Sequence, residues 1–396
     1  MRLSDPFPIE GQGLKPVHEI DWAAMARKLV REILQVEPHE RVIISADPYC
    51  GAAMLDEVRA ELQRVRAIEL ATIMHWTPKV AALRAADGCK VDDQDARRED
   101  EALYGLFKAA DVFMWLQSDF RRPYRTHAVG QSEWILETWK GRGIHFHWFP
   151  DPANPDPETD INKGIDRVYQ SAVLDLDYAA LRRSMQAIRD GLSEQVVTIT
   201  NPAGTNLSFK MSSRFYLNDG DASKAKAATA ASARDREEEV PCGALRTIPD
   251  IDTVEGVIAF NKSFGFPAAG HGLNVNKWFD QGLRFFFEKG RVARVETDGD
   301  QVQLDAEWNA QTGNKDKLGE FVLGCNPLLK PVPGSGFQPY YGFGDGVMRL
   351  TLGENIESGG KNRSSLHRWL MLIDGTVKVG NETIVKDGKI TKAYAA

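Results

Sequence analysis

The feature that most constrains the fold lies in the first 150 residues, where short, almost unbroken apolar runs alternate with stretches of helical periodicity. Arg41-Val-Ile-Ile-Ser45, Ile68-Glu-Leu-Ala-Thr-Ile73, Asp111-Val-Phe-Met-Trp-Leu-Gln117 and Ile144-His-Phe-His-Trp-Phe149 each read as a strand. A strand that is apolar on both faces has to be covered on both. The intervening helical patterns at 22–33, 54–65, up to about 109 and over 132–140 supply that cover. The rhythm predicts a parallel sheet flanked by helices.

The rhythm stops at Asp151-Pro-Ala-Asn-Pro-Asp-Pro-Glu-Thr-Asp160, whose prolines can neither continue a helix nor sit inside a sheet. This stretch predicts a boundary, with an N-terminal α/β domain over 1–155 and a second domain over 156–396. Two more helices follow, at 162–173 and 178–192. The texture then turns to short strands, beginning with a hairpin about Pro202-Ala-Gly204. Residues 221–239, rich in Ala, Lys and Asp, read as a solvated loop or exposed helix. The C-terminus closes on strands at 376–381 and a turn at Lys386-Asp-Gly-Lys389. The expected fold class is therefore α/β, a parallel-sheet domain followed by a larger, mixed, strand-rich domain carrying most of the site.

Composition narrows the function. The 396 residues are 42% hydrophobic and 27% charged, and no run approaches the ~18 apolar residues that a spanning helix needs. With 49 Lys+Arg against 56 Asp+Glu, the net charge of -7 is the wrong sign for a phosphate-neutralising protein. Neither a membrane nor a nucleic acid is an expected partner. The start, MRLSDPFPIEGQG, carries no basic-then-apolar leader, so a cytoplasmic location is expected. Cys50, Cys89, Cys242 and Cys325 are far apart, without a CxxC pair, and read as small buried residues.

No GxSxG elbow, phosphate loop, HExxH or strand-to-helix GxGxxG is present. His145 and His147 share one face of a strand and read as a structural pair. His271, with glycine on either side in Pro267-Ala-Ala-Gly-His-Gly-Leu-Asn274, could let a ligand approach the backbone or be an ordinary turn residue. The densest polar cluster on an apolar background runs from 318 to 369. It comprises Leu318-Gly-Glu320-Phe-Val-Leu-Gly-Cys-Asn-Pro327, Asp345-Gly-Val-Met-Arg349-Leu-Thr-Leu-Gly-Glu354 and Gly359-Gly-Lys-Asn-Arg-Ser-Ser-Leu-His367-Arg-Trp369. Ionisable groups that interrupt strands in this way are either edge charges or a site in which burial demands partners.

These segments also carry a resemblance. Together with Ala203-Gly-Thr-Asn-Leu-Ser-Phe209, Val240-Pro-Cys-Gly-Ala-Leu-Arg-Thr-Ile-Pro249, Val254-Glu-Gly-Val257 and Phe287-Glu-Lys-Gly-Arg-Val292, the chain resembles the metal-dependent aminopeptidases of the aminopeptidase T family. It is similar too to the related 2,5-dihydroxypyridine 5,6-dioxygenases. The resemblance implies their two-domain fold, a homodimer and a metal site. It matches Glu320 and His367 to ligand positions. The peptidase pattern has Glu where this chain has Ala244, His where it has Arg349, and Asp where it has Trp369. The dioxygenase pattern has a histidine at Glu320, a carboxylate at Trp369 and a loop histidine near Arg121.

The substitutions have a direction. Arg121, Arg122 and Arg349 would offer guanidinium forks to a carboxylate or phenolate, and Trp369, Tyr340 and Tyr341 flat faces to an aromatic ring. Glu320 and His367 could then form an acid/base pair. The expected function is a small-molecule catabolic enzyme acting on an anionic aromatic substrate by lyase or hydrolase chemistry, with no cofactor. Three alternatives stand beside it. One is an Fe(II) or other divalent-metal dioxygenase using Glu320, His367 and Glu354, with Asp345 or His271 also within consideration. The others are a metal-dependent aminopeptidase and a non-catalytic ligand-binding homologue.

Overall fold

A computed structural model describes residues 20–46, 51–74, 93–117, 139–148, 151, 159–260, 270–335 and 340–395. The chain divides into two compact units, Met1–Asp175 with Gly220–Pro241, and Leu176–Asp219 with Cys242–Ala396. The division thus falls later than 155, and the chain returns once to the first unit.

In the first unit, α1 (Trp22–Arg27) continues through a π-helical turn into β1 (Arg41–Ala46). After it come α2 (Gly51–Arg64), β2 (Ile68–Met74), α3 (Asp93–Ala109), β3 (Val112–Gln117) and β4 (Arg142–His147). These strands pair in parallel in the order β2-β1-β3-β4, as continuous apolar runs between helices require. Of the helix expected at 132–140, residues 132–138 lie outside the described residues, and Trp139 and Lys140 are not helical. The next helix, α4 (Asp160–Leu174), is capped by Thr159 and stays with this unit. Asp166 accepts the Trp148 indole N–H at 2.7 Å, and Tyr169 packs edge-on against that ring. The anchoring apolar side chains, more than the prolines, decide where the unit ends.

The second unit begins with α5 (Tyr178–Leu192) and runs on through β5 (Val196–Thr200), β6 (Asn206–Lys210) and β7 (Tyr216–Asn218). The chain then returns to the first unit through a short helix at Lys224–Thr229 and β8 (Glu237–Val240), which pairs in parallel with β4. This corrects the expectation of a wholly solvated 221–239. Glu238 is buried because its carboxylate accepts from Gly220 N at 3.1 Å and Lys226 Nζ at 2.7 Å, so a charged segment can enter a sheet.

The rest of the second unit comprises β9 (Ala244–Thr247), β10 (Asp250–Ala259), β11 (Gly270–His271), β12 (Arg284–Glu288), β13 (Arg291–Glu296), β14 (Leu318–Gly324), β15 (Met348–Gly353), β16 (His367–Leu372), β17 (Thr376–Val379), β18 (Glu382–Lys386) and β19 (Lys389–Ile390). They form an eight-stranded sheet, β13-β12-β10-β6-β5-β17-β18-β19, and a six-stranded sheet, β11-β16-β15-β14-β9-β7. The β5–β6 hairpin turns at Gly204 (φ 104°), and β18–β19 at Asp387 and Gly388, both with positive φ. One core joins the unit: Phe321, Leu323, Leu350, Leu352, Leu370 and Leu372 of the smaller sheet cluster with Phe209, Ile258, Phe285 and Val377 of the larger. Among the described residues, no helix is long and apolar enough to cross a membrane.

Candidate functional site

If alternate residues of β14, β15 and β16 fill that core, the residues between them must face the other way. The register makes the second face explicit. Glu320 pairs with Thr351, and Thr351 with Trp369, in one row; Arg246, Val322, Arg349 and Met371 form the next. A bulge between Leu318 and Glu320 is what permits this, because without the extra residue both would point the same way. Leu318 instead joins the core and Glu320 the polar row.

Glu320 is the centre of the polar face and is only 3% exposed. Arg246 donates from Nε to Oε1 at 2.9 Å and from Nη2 to Oε2 at 3.3 Å, and Arg349 donates from Nη2 to Oε2 at 3.3 Å. Ser358 Oγ donates to Oε1 at 2.8 Å. Burial alone would push the Glu320 carboxyl up. The two guanidiniums and the serine outweigh it and hold the group below the ordinary carboxylate range.

Ser358 arrives by local folding. Asn355 Nδ2 donates to Gly319 O at 2.9 Å, and Asn362 Nδ2 to Leu318 O at 3.2 Å, pinning the loop after β15 against the start of β14. Glycine is needed where the loop closes on itself, since a Cβ on Gly360 would meet Asn355 Oδ1 at 2.1 Å.

Aromatic rings enclose the other side. The Arg349 guanidinium lies 3.9 Å from the Trp369 ring centre, and Tyr341 meets Trp369 edge-on at 5.1 Å. Tyr341 O also accepts from Arg349 Nη1 at 3.4 Å. Tyr340 and Tyr341 both have positive φ, 45° and 55°, a strained conformation for side chains of this size that fixes the Tyr341 ring and carbonyl in place. Tyr340 is fully buried and packs on Phe343, so it supports the wall from behind.

His367 sits at the end of this face. Its Nδ1 lies 2.9 Å from Glu354 O, and Trp369 Nε1 donates to its Nε2 at 3.1 Å. An indole N–H can only donate, so Nε2 accepts and Nδ1 carries the hydrogen given to Glu354. Both nitrogens of His367 are thus engaged by the chain.

The polar face brings together five of the side chains singled out in the sequence: Glu320, Arg349, Trp369, Tyr341 and His367. Of the expected acid/base pair, Glu320 is engaged by two guanidiniums and His367 by an indole. His271 pairs through its backbone with His367 across β11 and β16. Asp345 is elsewhere, beside Ile390, Lys389 and Lys330. Arg121 and Arg122 lie outside the described residues, as do Cys50 and Cys89. Cys242 and Cys325 are buried, and burial pushes the Cys325 thiol up. His145 contacts the Glu237 carboxylate, and both it and His147 meet Trp115 edge-on at 4.7 Å, as a structural pair would.

Three contributors were not singled out. Arg246 lies two residues beyond Ala244 on one strand and so shares its face, a signal the sequence does contain. Thr351 is signalled by the same alternation, counted from Arg349. Ser358 depends on the fold of a loop and has no such signature.

The described residues of this face do not fit the metal site that the resemblance implies. Among the described residues, no three His, Cys, Asp or Glu side chains gather to hold an ion. Glu320 already takes two guanidiniums, His367 Nε2 takes the indole, and Arg349 and Trp369 offer no coordinating lone pair.

No family model matches the sequence, and no curated protein does either. Solved structures do. The 2,5-dihydroxypyridine dioxygenase of Pseudomonas putida KT2440 superposes with a TM-score of 0.60 at 14% identity, over 93% of this chain and 97% of that one. Wild-type AmpT from Thermus thermophilus gives a TM-score of 0.60 at 14% identity, over 93% of this chain and 99% of that one. The chain shares their fold, as its motifs lead one to expect, and at this identity the likeness is one of fold alone.

Proposed function

We propose that this chain is a small-molecule enzyme acting on an anionic aromatic compound by acid/base chemistry of the lyase or hydrolase kind. The observation that carries the reading is the Arg246–Glu320–Arg349 triad, buried beside Trp369 and Tyr341. A guanidinium fork suits a carboxylate or phenolate, and the half-buried Trp369 and Tyr341 suit its ring. One neighbour in fold is named for an aromatic compound, which agrees with this substrate class.

The triad also supplies a way to create the missing base. An incoming anion competes with Glu320 for the same guanidinium hydrogens. As those contacts pass to the ligand, Glu320 loses the charges that hold its pKa down and keeps the burial that pushes it up. The carboxylate then becomes a competent proton acceptor only when substrate is present. His367, through Trp369, holds the aromatic wall rather than transferring the proton.

One observation favours a second reading, a ligand-binding homologue without turnover: both nitrogens of His367 are spent within the chain. Incubation with a panel of aromatic acids, followed by mass spectrometry, separates the two. Product formation that persists after chelation and is lost in Arg349→Gln supports the enzyme. Saturable binding without product supports the binder, and stoichiometric iron with activity lost on chelation contradicts both in favour of a dioxygenase.

A further inference from the structure

We propose that Thr351 orients the bound ligand, its hydroxyl hydrogen-bonding an acidic oxygen of the aromatic compound; this rests on the ligand class proposed above. Thr351 is 1% exposed, and among the described residues its Oγ1 has no hydrogen-bond partner. Buried hydroxyls are almost always satisfied, because stranding one forfeits its hydrogen bonds to water without replacement. Two other buried threonines of this unit obey that rule. Thr205 Oγ1 donates to Ala259 O at 3.1 Å and accepts from Ala259 N at 2.9 Å, and Thr247 Oγ1 donates to Arg214 O at 2.7 Å.

Packing gives no reason for a threonine here, since valine has nearly its shape and carries no hydroxyl to strand. The position is also not on the core face, where Leu350 and Leu352 point. Thr351 lies in the row between Glu320 and Trp369, and it follows Arg349 by two residues on the same strand. Residues so spaced are about 6.6 Å apart along a strand, close enough for one carboxylate to meet the hydroxyl and an inclined guanidinium together. The hydroxyl thus belongs to the same row as Trp369 and lies two residues along the strand from Arg349, the two groups that would hold the ring and its charge.

The test uses the full chain, with benzoate, 4-hydroxybenzoate and nicotinate as probes in calorimetric titrations, and Thr351→Val, Thr351→Ser and Arg349→Gln as variants. Thr351→Val is expected to weaken probe binding about tenfold and Thr351→Ser to stay within about twofold of wild type. The ligand-free melting temperature of Thr351→Val should equal or exceed wild type, because the substitution removes a stranded hydroxyl. A fall of several degrees would mean that the hydroxyl is satisfied within the chain, and would overturn the inference. Unchanged binding in Thr351→Val, with binding lost in Arg349→Gln, overturns it and leaves the proposed ligand class standing. If wild type binds none of the probes, or if neither variant alters binding, both fall together.

Discussion

Glu320 and Phe321 are neighbours in β14 and point to opposite faces of one sheet, and the two faces hold together by different physics. Phe321 is fully buried among leucines and aromatics, where stability scales with the apolar volume filled. Glu320 is nearly as buried, yet its environment is closed by charge: two guanidiniums and a hydroxyl on one carboxylate. A buried charge cluster is poor value as a stabiliser compared with apolar packing, and removing one member leaves the others stranded. A face built this way on a unit that already has a full core suggests a role other than stability.

Substitutions on each face should separate these physics. Phe321→Ala is expected to have the largest effect, about 4 kcal/mol lost in urea unfolding, with little dependence on pH. Glu320→Gln should lose about 3 kcal/mol at neutral pH by leaving Arg246 and Arg349 without their shared anion. That second loss should shrink in acid. The folded Glu320 carboxyl titrates below its unfolded value, so its contribution is fully present above the unfolded carboxylate pKa and disappears as pH falls through the folded one. Wild type and Glu320→Gln should therefore converge in stability at low pH, whereas wild type and Phe321→Ala should not. A constant gap for Glu320→Gln would erase the distinction between the faces.

Smaller effects sharpen the polar side. Arg349→Lys keeps the charge but loses the planar fork and its stacking on Trp369, and should destabilise by about 1–2 kcal/mol in the same unfolding experiment. Trp369→Phe keeps an aromatic ring but removes the indole N–H given to His367, for about 1 kcal/mol. Glu320→Gln combined with Trp369→Phe should depart from additivity, because Arg349 both bonds Glu320 and stacks on Trp369.

The sequence made the parallel sheet legible because continuous apolar strands between helices have few other ways to be buried. Its motif segments likewise pointed to the fold shared with the two solved structures. The charged strand β8 was not legible: Glu237–Val240 looks solvated until Gly220, Lys226 and the edge of β4 are in place. In the site, residue types pointed to Glu320, Arg349 and Trp369. Their pairing did not follow from type, since a bulge sets the facing of Glu320 and a loop of asparagines delivers Ser358. The bond between His367 and Trp369 was not legible from type either, although the two share one face of one strand.

The central claim is that an anionic ring compound takes the guanidiniums from Glu320 and so raises its proton affinity. Calorimetric titration of wild type with an aromatic acid, in buffers of differing ionisation enthalpy near neutral pH, reads protons taken up on binding. The account predicts uptake that grows as pH falls toward the carboxylate range and is absent in Glu320→Gln. Saturable binding with no proton uptake at any pH, or the same uptake in Glu320→Gln, would contradict it.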